Sequence, residues 1–437
     1  MEHPSSHLTP DRITSQVSQV ILWILLLLAA TEFVVRGPVR YLEPNGWNDL
    51  SQYYAASRLW LRGQSFADAG KFAAVWRDEV GLTLDVNTAR VHIAPPPGAL
   101  VLFAPLGALS WPAAQLLWLT VVILSFAATV WALLAAAGLS FREPRGIAFI
   151  AGCLALAPFQ TGVASGNQTI LVVGLCAVGI WAAGADCDMI AGLFFGTACS
   201  LKPHIGAFLV LYYLWQRRWR LCVTAVALTV VLALLGLAWM QFAGVHWLSD
   251  YTGNVRFGAE KNTIDDFTSA NPIRFMLINL QVPFYSFTHS ASSANMLAFA
   301  LGGVLILIWI ALVLQDEHKA NSLLSLGTIA VIGLLPLYHR FYDASVLAVA
   351  LCWCLSRQNT IKNVGNTSLL LMAPFLVPGA ATLQEAARRG NIPESWTHSW
   401  WWDRILMPHQ TWLLLLLSVM LLYAMARSRR ENAEPAG

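Results

Sequence analysis

Apolar runs recur along the whole length of this 437-residue chain. They lie near residues 17–35, 111–139, 147–163, 169–185, 189–215, 221–242, 294–314, 322–337, 344–356, 367–383 and 410–426. Each long run approaches the roughly 20 residues that cross a hydrocarbon core of about 30 Å, and the shorter ones suit tilted, broken or buried helices. Splitting 189–215 at Lys202-Pro203 predicts about twelve spans. Charged residues make up only 12% of the chain, against roughly 25% in an ordinary soluble domain. The sequence therefore reads as an all-α integral membrane protein, a single bundle over residues 1–437 with no soluble domain, linker or short-period repeat.

The net charge of +3 matters less than where the charges lie. Arg142 and Arg145, then Arg217, Arg218 and Arg220, then Arg357 and Lys362, then Arg427, Arg429 and Arg430, fall in short connections or at the tail. With twelve spans they share one side with both termini, which the positive-inside rule makes cytoplasmic. The first sixteen residues are polar, and the run after them lacks a small-residue cleavage site, so it reads as an uncleaved anchor. Cysteines such as Cys153, Cys176, Cys199 and Cys222 sit inside apolar runs and read as small core residues. Cys352 and Cys354 are one residue apart, which is not a metal-site spacing, and no metal or cofactor is expected.

The face opposite the arginines carries the chemistry. Three of its connections are long (36–97, 243–293 and 384–409), and three are short but specific: "SGNQT" at 165–169, "LKPH" at 201–204 and "LYHRFYD" at 337–343. In "GWNDLSQYYAASRLWLRGQSF", Leu50, Tyr53, Tyr54 and Leu61 recur at near-helical spacing with Gln52, Arg58 and Arg62 between them. That pattern predicts an amphipathic helix lying on or just above the bilayer surface. Pro95 to Pro97 suit the start of a helix that is too short to span alone, re-entrant or superficial.

Each polar candidate has a functional and a bland reading. Asp49 is placed to be a general base for a hydroxyl substrate, or it caps the following helix together with Gln52. Lys202-Pro203-His204 interrupts a long apolar run: a cation there faces a ligand or cavity, or it snorkels to the interface at a helix break. In the late loop, His339 and Arg340 could face a phosphate while rings such as Tyr338 stack on a sugar, or the segment is an interfacial loop in which Arg340 pairs with Asp343. Asn167 and Gln168 sit in a polar kink that suits either a turn or a contact. Asp265, Asp266 and Asn271 suit a solvated loop. The tryptophan-rich "SWTHSWWWD" at 395–403 reads as an interfacial belt.

Together the segments "NDLSQYYAASRLWLRGQSF", "PPPGALVLFAPLGALSWPAAQLLW", "SGNQTILVVGL", "AGLFFGTACSLKPHIGAFLVLYYLWQRRWR" and "LLPLYHRFYD" resemble glycosyltransferase family 87. Its members are polyprenyl-phosphate-sugar-dependent mannosyltransferases of the GT-C superfold. Two positions depart from the family's pattern: Ala94, where an aromatic residue more often precedes the prolines, and Arg340, where Tyr more often follows the histidine. The resemblance implies a GT-C type polytopic bundle that moves a hexose, usually mannose, from a polyprenyl-phosphate donor to a glycolipid or polysaccharide acceptor. It implies that Asp49 is the catalytic acidic residue, and that Lys202 and His339, joined here by Arg340 and His204, lie near the donor phosphate. Tyr53, Tyr54, Asn167, Gln168 and Tyr338 are the candidate sugar or acceptor contacts.

The expected reaction is a single displacement with inversion. One carboxylate takes the acceptor proton, and cations stabilise the departing lipid phosphate without a metal. The expected setting is the inner membrane of a cell, with the active site on the periplasmic side and no nucleic acid involved. The rival readings are a polytopic transporter or flippase, which predicts paired broken helices in two inverted halves, and a non-catalytic subunit of an envelope-polysaccharide system.

Overall fold

The computed structural model describes residues 10–43, 49–83, 95–258, 263, 265–315, 322–356, 358–359 and 361–433. Among these residues the fold is helical, with one isolated bridge between Leu277 and Arg340 and no strand. Five helices are long and apolar enough to cross a membrane: Gln19–Val39, Trp111–Ala136, Trp219–Phe242, Ala291–Leu314 and His409–Arg429. Two bent pairs, Pro144–Ala155 with Ala157–Ala164 at 47° and Lys362–Leu376 with Gly379–Arg388 at 41°, raise the number to seven if each is one broken span. This is a multi-pass membrane protein.

The expected count of about twelve spans is not reached by length and composition. Six further apolar helices are shorter: Pro97–Ala108, Thr169–Gly184, Asp188–Leu201, Pro203–Trp215, Ser322–Gly333 and Phe341–Leu355. Several of these are interior helices. The Ser322–Gly333 helix is buried at every position from Leu323 to Gly333, and the Leu347–Leu355 segment is buried through Cys354. A helix packed on all sides is uniformly apolar for the same reason that a spanning one is, so hydropathy alone does not separate them. The long helices instead present Leu27, Leu124, Val223, Leu234 and Leu307 to the outside, as a lipid-facing surface requires.

The expected surface helix also differs. It forms over Leu50–Leu61, but Leu50, Ser51, Tyr53, Tyr54, Ala55, Ala56, Ser57, Leu59 and Trp60 are all buried. Most of the helix is therefore covered by neighbouring protein segments and not by lipid or water. Small residues make this possible: Ala55, Ala56 and Ser57 let the Pro97–Ala108 helix pack closely against it. A Cβ added to Gly107 would lie 2.8 Å from the Ser57 carbonyl carbon. Arg58 closes the contact, donating to the Gly107 carbonyl at 2.7 Å and to Glu79 at 2.8 Å. The triple proline opens the Pro97–Ala108 helix with Pro97 in its first turn, as its fixed φ favours.

The Gly107→Val variant forces these two helices apart. Overpacking of this kind costs about 1–3 kcal/mol, so the midpoint of thermal unfolding in detergent is expected to fall. An unchanged midpoint would mean that the two backbones do not touch as described.

Candidate active site

Three of the short polar motifs and the start of the Leu50–Leu61 helix meet at one end of the bundle. The chain reaches this end at its breaks. Residues preceding proline avoid the helical region, and Lys202 accordingly adopts φ −136° and ψ 86° between the helices Asp188–Leu201 and Pro203–Trp215. Gly166, at φ +63°, turns the chain from the Ala157–Ala164 helix into Thr169–Gly184. A side chain there would meet the Tyr41 ring at 2.8 Å, and Trp118 donates to the Gly166 carbonyl at 2.8 Å. The late loop is held from the side: Ile278 donates to the His339 carbonyl at 3.0 Å, Leu280 to Leu335 at 2.9 Å, and the Gln281 amide to Pro336 at 2.8 Å.

Asp49 stands at the N-cap position, yet its carboxylate makes no capping bond to the helix. Its backbone N–H donates to the Ser165 carbonyl at 2.5 Å, which ties the helix start to the SGNQT turn. The Asn167 amide donates to Asp49 Oδ2 at 2.6 Å, and Gln52 reaches Oδ1 at 3.4 Å. The orientation of the Asn167 amide is fixed chemically. Its oxygen accepts the Thr169 backbone N–H at 2.9 Å, so its nitrogen must face the carboxylate.

The second carboxylate, Asp343, is fully buried and receives four donors. Oδ1 accepts from Lys202 Nζ at 2.6 Å and from the Thr169 hydroxyl at 2.6 Å. Oδ2 takes His339 Nδ1 at 3.1 Å and the Arg340 backbone N–H at 3.2 Å. Lys202 Nζ also donates to Thr169 Oγ1 at 2.7 Å and lies 4.9 Å from the centre of the Tyr342 ring. The Thr169 hydroxyl lies near two acceptors but has one proton. The charged oxygen of Asp343 is the stronger claimant, and Asn167 Oδ1 keeps the Thr169 backbone N–H.

One hydrogen-bonded chain thus runs from Asp49 through Asn167 and Thr169 to Asp343, Lys202 and His339. His204 packs edge-on against His339 with ring centres 4.8 Å apart. The Nε2 atoms of both rings are buried without a hydrogen-bond partner among the described residues. Arg340 Nε donates to the Tyr338 hydroxyl at 2.7 Å. Burial works against the Arg340 charge, but Tyr338, Tyr342 and Asp49 nearby outweigh it, and the guanidinium is held above its ordinary value. Tyr53 stacks on Phe103 at 4.6 Å. Burial pushes its phenol well up, the charges of Asp49 and Asp343 add to this, and Tyr53 stays protonated as a donor.

Two candidates point elsewhere. Tyr54 is rotated by about 100° from Tyr53 around the helix; its hydroxyl donates to the Leu109 carbonyl at 3.1 Å and its ring meets Trp111. The Gln168 amide donates to the Leu201 carbonyl at 3.3 Å and braces the Lys202 break from behind. Arg340 does not pair with Asp343 through its guanidinium; Lys202 does. Ala94 lies outside the described residues. Thr169 and Tyr342 are the members of the cluster that the motifs alone did not single out, and Asp343, expected as the partner of Arg340, is instead the ion-pair partner of Lys202. For Asp343 a signal exists: a lysine buried among apolar residues requires a buried partner of opposite charge.

His204, His339 and Asp343 offer ligand atoms within 4.8 Å of one another. The Lys202 ammonium, already on Asp343, supplies the positive charge that a metal would bring to that carboxylate. A divalent ion would sit against a fixed cation.

A family model for glycosyltransferase family 87 matches residues 95–337, more than half of the chain. The chain belongs to glycosyltransferase family 87. The protein is therefore a membrane glycosyltransferase. Comparisons with curated proteins and with solved structures found no match. The matched stretch contains Asn167, Thr169 and Lys202 and stops just short of His339; Asp49 precedes it and joins the cluster only through the fold.

Removing one partner of a buried ion pair leaves the other uncompensated, at a cost of about 3–5 kcal/mol. The Asp343→Asn variant of this glycosyltransferase is therefore expected to unfold at a markedly lower temperature. Replacing both partners, with Lys202→Met and Asp343→Leu, is expected to recover most of that loss, as read by thermal unfolding in detergent. A single variant as stable as the native protein would remove the pair from its structural role.

Proposed function

We propose that this glycosyltransferase moves a hexose, mannose by its family resemblance, from a polyprenyl-phosphate donor to a glycolipid or polysaccharide acceptor. The reaction takes place on the face opposite the arginine clusters, the periplasmic side of an inner membrane with both termini cytoplasmic, and Asp49 is the general base. The reading rests on one observation, the contrast between the two carboxylates of the site. Asp343 is saturated by four donors including a lysine. Asp49 is held by two neutral amides, with no ion-pair partner among the described residues. A carboxylate fixed by amide donors keeps lone pairs for a substrate hydroxyl.

In the proposed step the acceptor oxygen attacks the anomeric carbon while Asp49 takes its proton. The bond from that carbon to the phosphate oxygen breaks, and the electron pair leaves with the polyprenyl phosphate. The anomeric configuration inverts. Arg340 supplies charge for the donor phosphate, and His204 and His339 supply ring nitrogens that have no hydrogen-bond partner among the described residues. Lys202, neutralised by Asp343, sets the position of the imidazole more than it adds net charge. Tyr53 and Asn167 lie beside Asp49, where the acceptor hydroxyl must arrive, and Tyr338 orients Arg340.

Asp49→Asn keeps the size of the side chain and removes the base. Transfer from a polyprenyl-phosphate hexose to a glycolipid acceptor is expected to fall about 10²–10⁴-fold with unfolding unchanged. Transfer by the native protein should continue in a chelator such as EDTA. A folded Asp49→Asn protein of native activity would take the base role from this residue, and mass analysis of envelope glycolipids with and without the protein names the sugar moved.

A further inference from the structure

The same three helices that carry the site have opposite ends, and these enclose a second feature. A cavity of about 850 Å³ lies where Thr169–Gly184 ends, Asp188–Leu201 begins, Pro203–Trp215 ends and Trp219–Phe242 begins. Sixteen residues of helix, about 24 Å, separate it from Thr169 and the carboxylates. Its mouth carries Arg217, Arg218 and Arg220, and its inner wall includes Ile180, Tyr213 and Leu326.

The charge balance of this mouth is uneven. Both acids that line it, Asp186 and Asp188, pair with Arg218, whose guanidinium also donates to the Ala183 carbonyl at 2.5 Å. The guanidinium groups of Arg217 and Arg220 have no hydrogen-bond or ion-pair partner among the described residues. The Trp219–Phe242 helix, 24 residues long, opens onto the cavity with no side chain capping its first amides, so the positive end of its dipole adds to the two arginines. Arg217 adopts φ +56° and Asp186 φ +58°. Glycine holds such a backbone at the end of a helix more easily, yet both positions carry charges that face the cavity. Trp219, half exposed, stands at the rim as an amphipathic ring does at a headgroup boundary.

We infer that this cavity binds the phosphate-bearing head group of an anionic lipid from the leaflet on the arginine side, with Arg217 and Arg220 on the phosphate and the apolar wall receiving the first carbons of its chains. The shared chemistry with free phosphate is the anion; the apolar wall favours a lipid. The site is separate from the transfer site and does not depend on the choice of donor or acceptor there.

The test uses the full chain in detergent, with phosphatidylglycerol, phosphatidylcholine and inorganic phosphate as probes and native mass spectrometry and thermal unfolding as readouts. Phosphatidylglycerol is expected to bind and raise the unfolding temperature, while phosphatidylcholine and phosphate do not. In the double variant Arg217→Gln with Arg220→Gln that binding should weaken roughly thirtyfold, the loss of two charges near an anionic head group. The control pair Arg142→Gln with Arg145→Gln, in another connection, should leave it within about twofold. Equal stabilisation by inorganic phosphate would overturn the lipid assignment. Undiminished binding by the first pair, or equal weakening by the control pair, would overturn the site, the latter because it would reveal diffuse attraction to a basic face.

Discussion

The ion pair between Lys202 and Asp343 governs the polar end of the helical bundle in this glycosyltransferase. Two opposite charges withdrawn from water are tolerated only when geometry and further hydrogen bonds compensate their lost hydration. Both conditions are met here, since every oxygen lone pair that Asp343 can readily direct has a donor and Lys202 adds a hydroxyl and an aromatic face. The pair joins segments 141 residues apart in the chain. Through Thr169 and Asn167 it also fixes a third segment, the one that begins at Asp49. Preorganisation of this kind places catalytic groups with little reorganisation during the reaction.

The two acids of the site illustrate how surroundings divide roles between identical side chains. One is enclosed, ion-paired and saturated; the other is held by two amides with no ion-pair partner among the described residues. His339 directs Nδ1 to Asp343, and its Nε2 has no hydrogen-bond partner among the described residues. A comparable separation holds along the bundle. The helices that end at the carboxylates begin or end, at their far side, in an arginine-lined cavity, so one set of helices carries a cluster of mixed charge at one end and a basic cavity at the other.

Much of the local structure was legible because it follows from backbone chemistry. Proline after Lys202 dictates the break there, proline at 95–97 dictates a helix start, and glycine at 166 permits the turn. Asp49, Asn167, Lys202, His339 and Arg340 stood out because polar groups in apolar surroundings need a reason. The expected count of about twelve spans is not confirmed: length and composition give five to seven among the described residues, and interior helices such as Ser322–Gly333 are as apolar as lipid-facing ones. The burial of the Leu50–Leu61 helix was not legible: its polar face is covered by a neighbour that approaches over Gly107, and no periodicity within the helix records what packs upon it.

The sequence by itself determined that this is a helical membrane protein, where its helices break, and on which face its polar residues gather, since hydropathy, proline and charge act through neighbours along the chain. Only the tertiary structure decided that Asp343 belongs to Lys202 and not to the Arg340 guanidinium, that Tyr53 faces the site while Tyr54 does not, and that Asp49 reaches the lysine through Asn167 and Thr169. These are pairings between distant segments, set by which surfaces the packed helices bring within hydrogen-bond range, and a one-dimensional pattern carries no distance between residues so far apart.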